Sequence, residues 1–425
     1  MARRFGLEKV VSYDMGGTTA KICLIEEFAP KTARSFEVAR TTRFAKGSGM
    51  PISIPVIEMI EIGAGGGSVA WVDSMGRIQT GPESAGSEPG PACYQRGGTR
   101  PAITDADLML AKLDPDNFAG GVIRLSTGQA AAAIAGHVGE RLGLSPQSAA
   151  FGICEVVDEN MANAARVHAV ENGKNISDNI MVAFGGAAPL HAARLCEKLG
   201  IDRCLVPPGA GVGSAIGFLK APFGYEALAS RIIGLSAFEP AAFNRLVEGL
   251  KETARGFVAQ GTNGAILCET VAYMRYRGQG WEIPVPLPDR PLTAADAGLI
   301  RDGFRAAYAR FFGRAIDGLD GQGAGLEIEI VTLSVKATDQ RPAPERVALT
   351  TGVRAVDAAQ MRAVFDPASG ADLPTAIVAR DSLAPGDRIS GPAIVVERET
   401  STVVTSPFDV VMQADGSLLI LRKGA

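Results

Sequence analysis

Two apolar, β-branched runs flank a polar tip near the start of the chain: Val10 to Tyr13 lead into Asp14-Met15-Gly16-Gly17-Thr18-Thr19, and Ala20 to Ile25 lead out. Lys21, Cys23 and Ile25 alternate with Ile22 and Leu24, so the pattern predicts a strand on each side of a tight turn. The hairpin tip admits two readings. Adjacent glycines let backbone N–H groups approach an anion, Thr18 and Thr19 add hydroxyls, and Asp14 is placed to hold a hydrated Mg²⁺ against phosphates. An ordinary Gly-Gly hairpin turn with a capping Asp needs the same residues.

Further along, Phe36 to Pro55 alternate weakly around a loop at Lys46–Pro51. The run Ile57–Ile62 enters Gly63-Ala64-Gly65-Gly66-Gly67, and a second strand ends at Asp73. A solvent-facing turn needs only one or two glycines, so four in five positions predict backbone brought close to a ligand or to the neighbouring hairpin. Gly81 to Gly98 has no hydrophobic period and reads as a long Pro/Gly loop. Thr104 or Asp105 is a helix N-cap for a helix running to about Leu113. Helices follow at Gln129–Leu142 and Ser145–Asn172. In the second, Ile153, Val157, Met161, Ala165 and His168 form one apolar stripe, which marks His168 as a packed residue. A buried strand at Ile180–Phe184, the Gly185-Gly186 turn, and a helix with Pro189 near its start and Gly200 at its end come next. A strand to Val206 and a glycine-rich turn, Pro207–Gly217, lead into another helix.

From about Ser236 the pattern changes. A helix at Phe243–Gln260, strands at Cys268–Tyr276 and Trp281–Leu287, a helix at Ala294–Phe312, a long alternating strand at Leu326–Ala337 and a β-rich tail predict an α+β end domain, with Pro342–Pro344 as a connector. The boundaries expected are 1–235 and 236–425.

Composition narrows the function classes. The chain has 425 residues, 46% hydrophobic and 21% charged, with net charge −4. Nothing in that balance favours nucleic acid or a polybasic membrane contact, and no run reaches the roughly 18 apolar residues of a membrane helix. Six cysteines without a C-x-x-C pair fit a reduced, cytoplasmic setting. Cys93 could be a nucleophile, but no histidine lies near it in sequence, and a packed thiol is the simpler reading. Three histidines, His137, His168 and His191, are too few and too dispersed for an imidazole metal site.

Asp14–Thr19 together with Phe184-Gly185-Gly186-Ala187-Ala188-Pro189-Leu190-His191-Ala192 resembles the A subunit of the hydantoinase/oxoprolinase family. Ile62–Ser68, Gly81–Gly86, Pro89–Tyr94, Thr104–Ala106 and Arg277–Gln279 resemble further signatures of that family, in its order. The resemblance implies an actin/sugar-kinase/chaperone-ATPase-like (ribonuclease H-like) nucleotide-binding domain followed by a smaller α+β, β-rich domain. It implies ATP and Mg²⁺ as cofactors, with Asp14 as metal ligand. Asp14 and Thr18 would be catalytic; Gly16, Gly17, Thr18 and Thr19 would form a phosphate loop, Gly65 and Gly66 would also bind the nucleotide, and Gly185, Gly186 and Ala187 would lie on the adenosine side. The activity implied is ATP-driven opening of a cyclic amide, or alternatively carboxylation of a ketone, in company with a B-type subunit; a non-catalytic nucleotide-binding scaffold is a third possibility. Two departures stand out. Position 188 is Ala where the family usually has Gly, and the family's additional N-terminal domain, with its first Asp-x-Gly-Gly-Thr loop, has no counterpart in these residues. A partial A subunit, slow to hydrolyse ATP alone, is the resulting expectation.

Overall fold

The computed structural model describes residues 1–33, 36–38, 48–52, 54, 56–313 and 327–424. The loop expected at Lys46–Pro51 lies partly outside them, as does Leu326 at the head of its expected strand. The chain forms two compact units, one of Met1–Leu219 with Pro344–Ala425, the other of Lys220–Ala343.

The first unit begins with the hairpin β1 (Lys9–Met15) and β2 (Ala20–Glu26), paired antiparallel from Lys9↔Glu26 to Met15↔Ala20. After it come β3 (Ile60–Ile62), the ribbon β4 (Ser68–Val72) and β5 (Ile78–Ser84), and the helices α1 (Ile103–Met109), α2 (Thr127–Ile134) and α3 (Pro146–Glu171). A π-helical turn, Ala135–Gly139, continues α2. Next are β6 (Ile180–Phe184), α4 (Ala188–Leu199), β7 (Arg203–Val206) and α5 (Gly213–Lys220). Strands β1, β6 and β7 run parallel at the centre of a ten-stranded sheet. Central parallel strands are covered on both faces, so their sequences are continuous apolar runs. Val11, Tyr13, Met15, Met181 and Ala183 enter one core with α3 and α4, while Val10, Ile180, Val182 and Leu205 enter another on the opposite face. Ile153, Val157, Met161 and Ala165 of α3 are at most 1% exposed. His168 is buried in the same stripe, as its spacing predicts.

The second unit is an antiparallel sheet under two helices: β8 (Gly224–Gly234), α6 (Pro240–Val258), β9 (Ile266–Tyr276), β10 (Ile283–Leu287), α7 (Asp296–Phe312) and β11 (Ile328–Asp339), with strand order β8-β11-β9-β10. Phe243, Ile300 and Phe304 of its helices pack on Met274, Tyr276 and Leu333 of its strands.

The chain then returns to the first unit. β12 (Gln360–Asp366), β13 (Ala371–Ala379), β14 (Asp387–Ser390), β15 (Ala393–Val396), β16 (Ser401–Val404), β17 (Phe408–Met412) and β18 (Leu418–Arg422) follow in order. β12, β13, β15 and β16 form a separate four-stranded sheet. β18 pairs antiparallel with β7, from Arg203↔Leu421 to Val206↔Leu418, and β17 and β14 extend the central sheet outward. The connector expected at Pro342–Pro344 coincides with this return. The contact boundaries are thus not contiguous in sequence, because the tail's alternating apolar strands complete a sheet edge left open at β7, some two hundred residues earlier.

Candidate functional site

The β1–β2 turn is closed by the Gly16 amide, which donates to the Thr19 carbonyl at 3.2 Å. Behind it lies the loop before β4. Gly66 N donates to Gly16 O at 3.0 Å and Gly67 N to Gly17 O at 2.7 Å. A Cβ on Gly65 would sit 2.7 Å from Gly17 O and overlap the Thr18 amide. Gly65 and Gly66 are therefore buried backing for the turn. Thr104 fastens them further, its amide and hydroxyl both donating to Gly66 O at 2.8 Å.

The third loop, Gly185–Ala187, joins β6 to α4. Ala187 N donates to Met15 O at 2.9 Å and Gly185 N to Ala210 O at 2.7 Å. Gly185 has φ +103°, and a Cβ there would stand 2.6 Å from Asp14 Oδ1, so any side chain is excluded twice over. Thr400 holds the loop from the far side, donating to Gly186 O at 3.0 Å. Gly16, Gly17 and Gly186 behave differently from these packed glycines. None has a positive φ, and space for a Cβ is open at all three. What their missing side chains leave is room beside the half-buried Asp14 carboxylate, with Gly17, Thr18 and Gly186 exposed.

One partner of Asp14 was not anticipated: Ser214, at the start of α5, donates to Asp14 Oδ2 at 2.6 Å. The glycine-rich turn before α5 is visible in sequence, but its convergence on a residue two hundred positions earlier follows only from the parallel order of β1, β6 and β7. The donor set of one carboxylate, hydroxyls and accessible backbone amides fits a hydrated Mg²⁺ shared with phosphate oxygens, which needs few protein ligands. Among the described residues there is no cluster of three metal-ligating His, Cys, Asp or Glu side chains.

Under this cradle lies a second unanticipated group. His191, in the first turn of α4, is fully buried between two carboxylates, Nδ1 at 2.8 Å from Asp158 of α3 and Nε2 at 3.2 Å from Asp107 of α1. Lys112 donates to Asp107 at 2.9 Å. Burial alone would lower the imidazole pKa, but Asp107 and Asp158 overcome it and push it up to about 9. Burial likewise works against an ionised Asp107, and the charges of Lys112 and His191 hold it well below the usual carboxylate range. Two cations and two anions thus close on one another in a dry interior. The helix carrying the Gly185–Gly186 loop is tied through them to α1 and α3. Tyr13 fixes β1 to the same layer, its hydroxyl within 3.0 Å of Met161 Sδ.

Asp105 differs from the N-cap expected for it or Thr104. It occupies the third position of α1 and reaches back to the Ala102 amide at 2.7 Å, while also accepting from Cys93 at 2.7 Å and Ala92 at 3.1 Å. It therefore anchors the end of the Pro/Gly loop. Cys93 is wholly buried, and burial, reinforced by Asp105, pushes its thiol far up, which removes the thiolate a nucleophile needs. All six cysteines are free and buried. No helix among the described residues is long and apolar enough to cross a membrane.

Comparison with known proteins agrees with this geometry. The hydantoinase/oxoprolinase family model matches residues 1–227, and that family's C-terminal domain model matches residues 241–423. The alpha subunit of caprolactamase from Pseudomonas jessenii is 31% identical over 415 residues, covering 95% of this chain and 57% of its own length. The gamma subunit of acetophenone carboxylase from Aromatoleum aromaticum is 32% identical over 425 residues, covering 96% and 55%. The crystal structure of the ATP-dependent caprolactamase from Pseudomonas jessenii superposes with a TM-score of 0.74 at 28% identity, over 99% of this chain and 60% of that one. The chain thus spans a little over half the length of these relatives, and the expected actin-like ATPase fold with a β-rich C-terminal part is the fold it has. On the ordered motifs, the two family models and the shared fold, the chain belongs to the hydantoinase/oxoprolinase family.

Proposed function

We propose that the chain is an A-type subunit of an ATP-dependent cyclic amide hydrolase, in which the Asp14 cradle binds the phosphates of ATP. The observation that carries this reading is the contrast among the glycines: Gly65 and Gly185 are needed for internal packing, whereas Gly16, Gly17 and Gly186 border open space beside a carboxylate. Similarity to caprolactamase and acetophenone carboxylase subunits supports the reaction class.

A lactam carbonyl is a poor electrophile, and transfer of the γ-phosphoryl group to its oxygen remedies that. The carbonyl oxygen attacks phosphorus and the bond to ADP breaks; water adds at the activated carbon, the ring C–N bond breaks to free the amine and leave an acyl phosphate, and a second water hydrolyses that to the carboxylate and inorganic phosphate. Mg²⁺, held by Asp14, would neutralise phosphate charge. Gly17 and Thr18 would donate to the transferring phosphoryl oxygens, Gly16 and Thr19 would brace the turn through their own hydrogen bond, and Gly186 and Ala187 would border the adenosine. Gly65, Gly66 and Gly185 would set the positions of these donors from behind. A second phosphate-binding wall would be supplied from outside these 425 residues, and a B-type subunit would complete the hydrolytic site.

Isothermal titration with ATP and Mg²⁺ tests the cradle. The chain is expected to bind, and Asp14→Ala to weaken binding at least tenfold, about 1.4 kcal/mol, the lower end of a charge-assisted contact. Absence of binding even with a B-type partner, or equal binding by the variant, would overturn the reading in favour of a scaffold. The 32% identity to an acetophenone carboxylase subunit favours ketone carboxylation as a second reading. Bicarbonate-dependent ATP turnover on aromatic ketones, absent with lactams, would select it.

A further inference from the structure

A cavity of about 450 Å³ opens between the β4–β5 ribbon and the π-helical turn, away from the Asp14 cradle. Its walls carry Trp71 and Glu83 from the ribbon, Arg100 from the segment before α1, and His137 and Arg141 from the turn and the residues after it. Strand β4 begins one residue past the Gly65–Gly67 loop, so Trp71 lies roughly 10 Å further on by strand rise. These side chains take no part in the Asp14 cradle or its supports.

Their chemistry is specific. Trp71 stands 46% exposed in a strand whose residues 68, 70 and 72 are buried, so its ring forms a wall of the cavity. Its indole makes only a long contact, 3.4 Å, to Gly81 O. Arg100 forks onto Glu83 with N–O distances of 2.8 and 2.6 Å, and these two charges cancel. Arg141 has no carboxylate partner among the described residues; one of its Nη atoms reaches Val72 O at 3.3 Å. A side chain on Gly136 would meet nothing within 4 Å, so the wall there is open. The π-helical turn offsets the helix at this point, a device concentrated at functional sites. The volume falls within the roughly 300–1,000 Å³ of small-molecule sites.

From this geometry we infer that the cavity binds a small monoanionic carboxylate with an aromatic or alicyclic body. The Arg141 fork matches a carboxylate, and the exposed Trp71 ring receives the body. A phosphate dianion, strongly hydrated and wanting several donors, is poorly served by one uncompensated guanidinium in a wall that also carries the Glu83 carboxylate. The inference does not depend on nucleotide binding at Asp14, and its test uses no nucleotide.

The chain has two tryptophans, Trp71 and Trp281. In a Trp281→Phe background, Trp71 emission is followed while sodium benzoate replaces sodium chloride at constant ionic strength. Saturable change is expected, with benzamide at least tenfold weaker and Arg141→Ala reducing benzoate affinity at least tenfold. Saturation-transfer NMR of benzoate on the unsubstituted chain reads the same binding without relying on either tryptophan. Failure to saturate in both measurements, equal binding of benzamide, an unaffected folded Arg141→Ala variant, or displacement of benzoate by equimolar phosphate would each overturn the assignment.

Discussion

The charge of His191 makes the stability of the first unit depend on pH in a calculable way. Its imidazole is pushed from 6.5 up to about 9 in the folded chain. Because the folded value lies above the unfolded one, the protonated ring stabilises the fold fully below about pH 6.5, and that contribution is lost as pH rises through about 9. Two-state proton linkage with these values gives about 3 kcal/mol at pH 6.5 and about 1 kcal/mol at pH 8.5, a loss of about 2 kcal/mol across the window. Other groups face the ring. Asp107, held well below the usual carboxylate range, does not titrate in this window. Burial pushes Tyr13 and Cys154 up, so the thiol, ionising only when unfolded, adds a loss of the same sign toward the upper end. Comparison with His191→Gln isolates the imidazole. Urea unfolding of the full chain, followed by a probe in the first unit, should show stability falling more steeply with pH in wild type than in the variant, which keeps only the smaller thiol contribution. The variant, with Asp158 deprived of its cation, should also be about 3 kcal/mol less stable at pH 6.5. Nitrogen NMR of the chain's three histidines gives an answer that does not depend on the variant folding: His191 should remain an imidazolium at pH 8. A neutral ring at that pH, or parallel stability curves for the two proteins, would refute the charge-closed cluster.

The remaining predictions concern the cradle and its supports. Gly65→Ala should destabilise the chain by about 2 kcal/mol through overlap with the hairpin backbone, whereas Gly17→Ala, which meets open space, should leave the thermal midpoint nearly unchanged and weaken ATP binding. Asp105→Ala leaves the amides of Ala92, Cys93 and Ala102 without their acceptor and should cost about 3 kcal/mol or more, measurable by denaturant unfolding. Cys93 should resist iodoacetamide in the native chain and react only in denaturant; rapid native labelling would show that the Pro/Gly loop opens.

Local chemistry carried the elements well. Residues 10–25 specify their hairpin because both strands alternate or run apolar and the turn holds two glycines. The stripe of α3 specifies its buried face through to His168. Glycines, by contrast, were legible only as a class. Sequence cannot separate Gly65, which yields space to Gly17 and Thr18, from Gly17, which yields space to solvent, because the difference lies in what crosses above them. The Asp107–His191–Asp158 cluster was equally hidden. Its members are 33 and 84 positions apart along the chain, each alone resembles a helix-surface polar residue, and only the packing of three helices makes them partners. The tail's return to β7 had the same character: alternating strands announce a sheet without saying whose edge they will cover.

That return has a consequence for how the chain is made. The outer edge of β7 is filled by Leu418–Arg422, while β1, β6 and the hairpin tip have already been synthesised. During the intervening two hundred or so residues, an apolar strand edge at the middle of the eventual sheet has no hydrogen-bonding partner, the condition in which strands pair with the wrong neighbour. The inserted unit, Lys220–Ala343, pairs its strands only among themselves and can form during that interval. On the ribosome, then, the order of events inverts the order of sequence: the middle can finish before the beginning, and the first strands wait for the last.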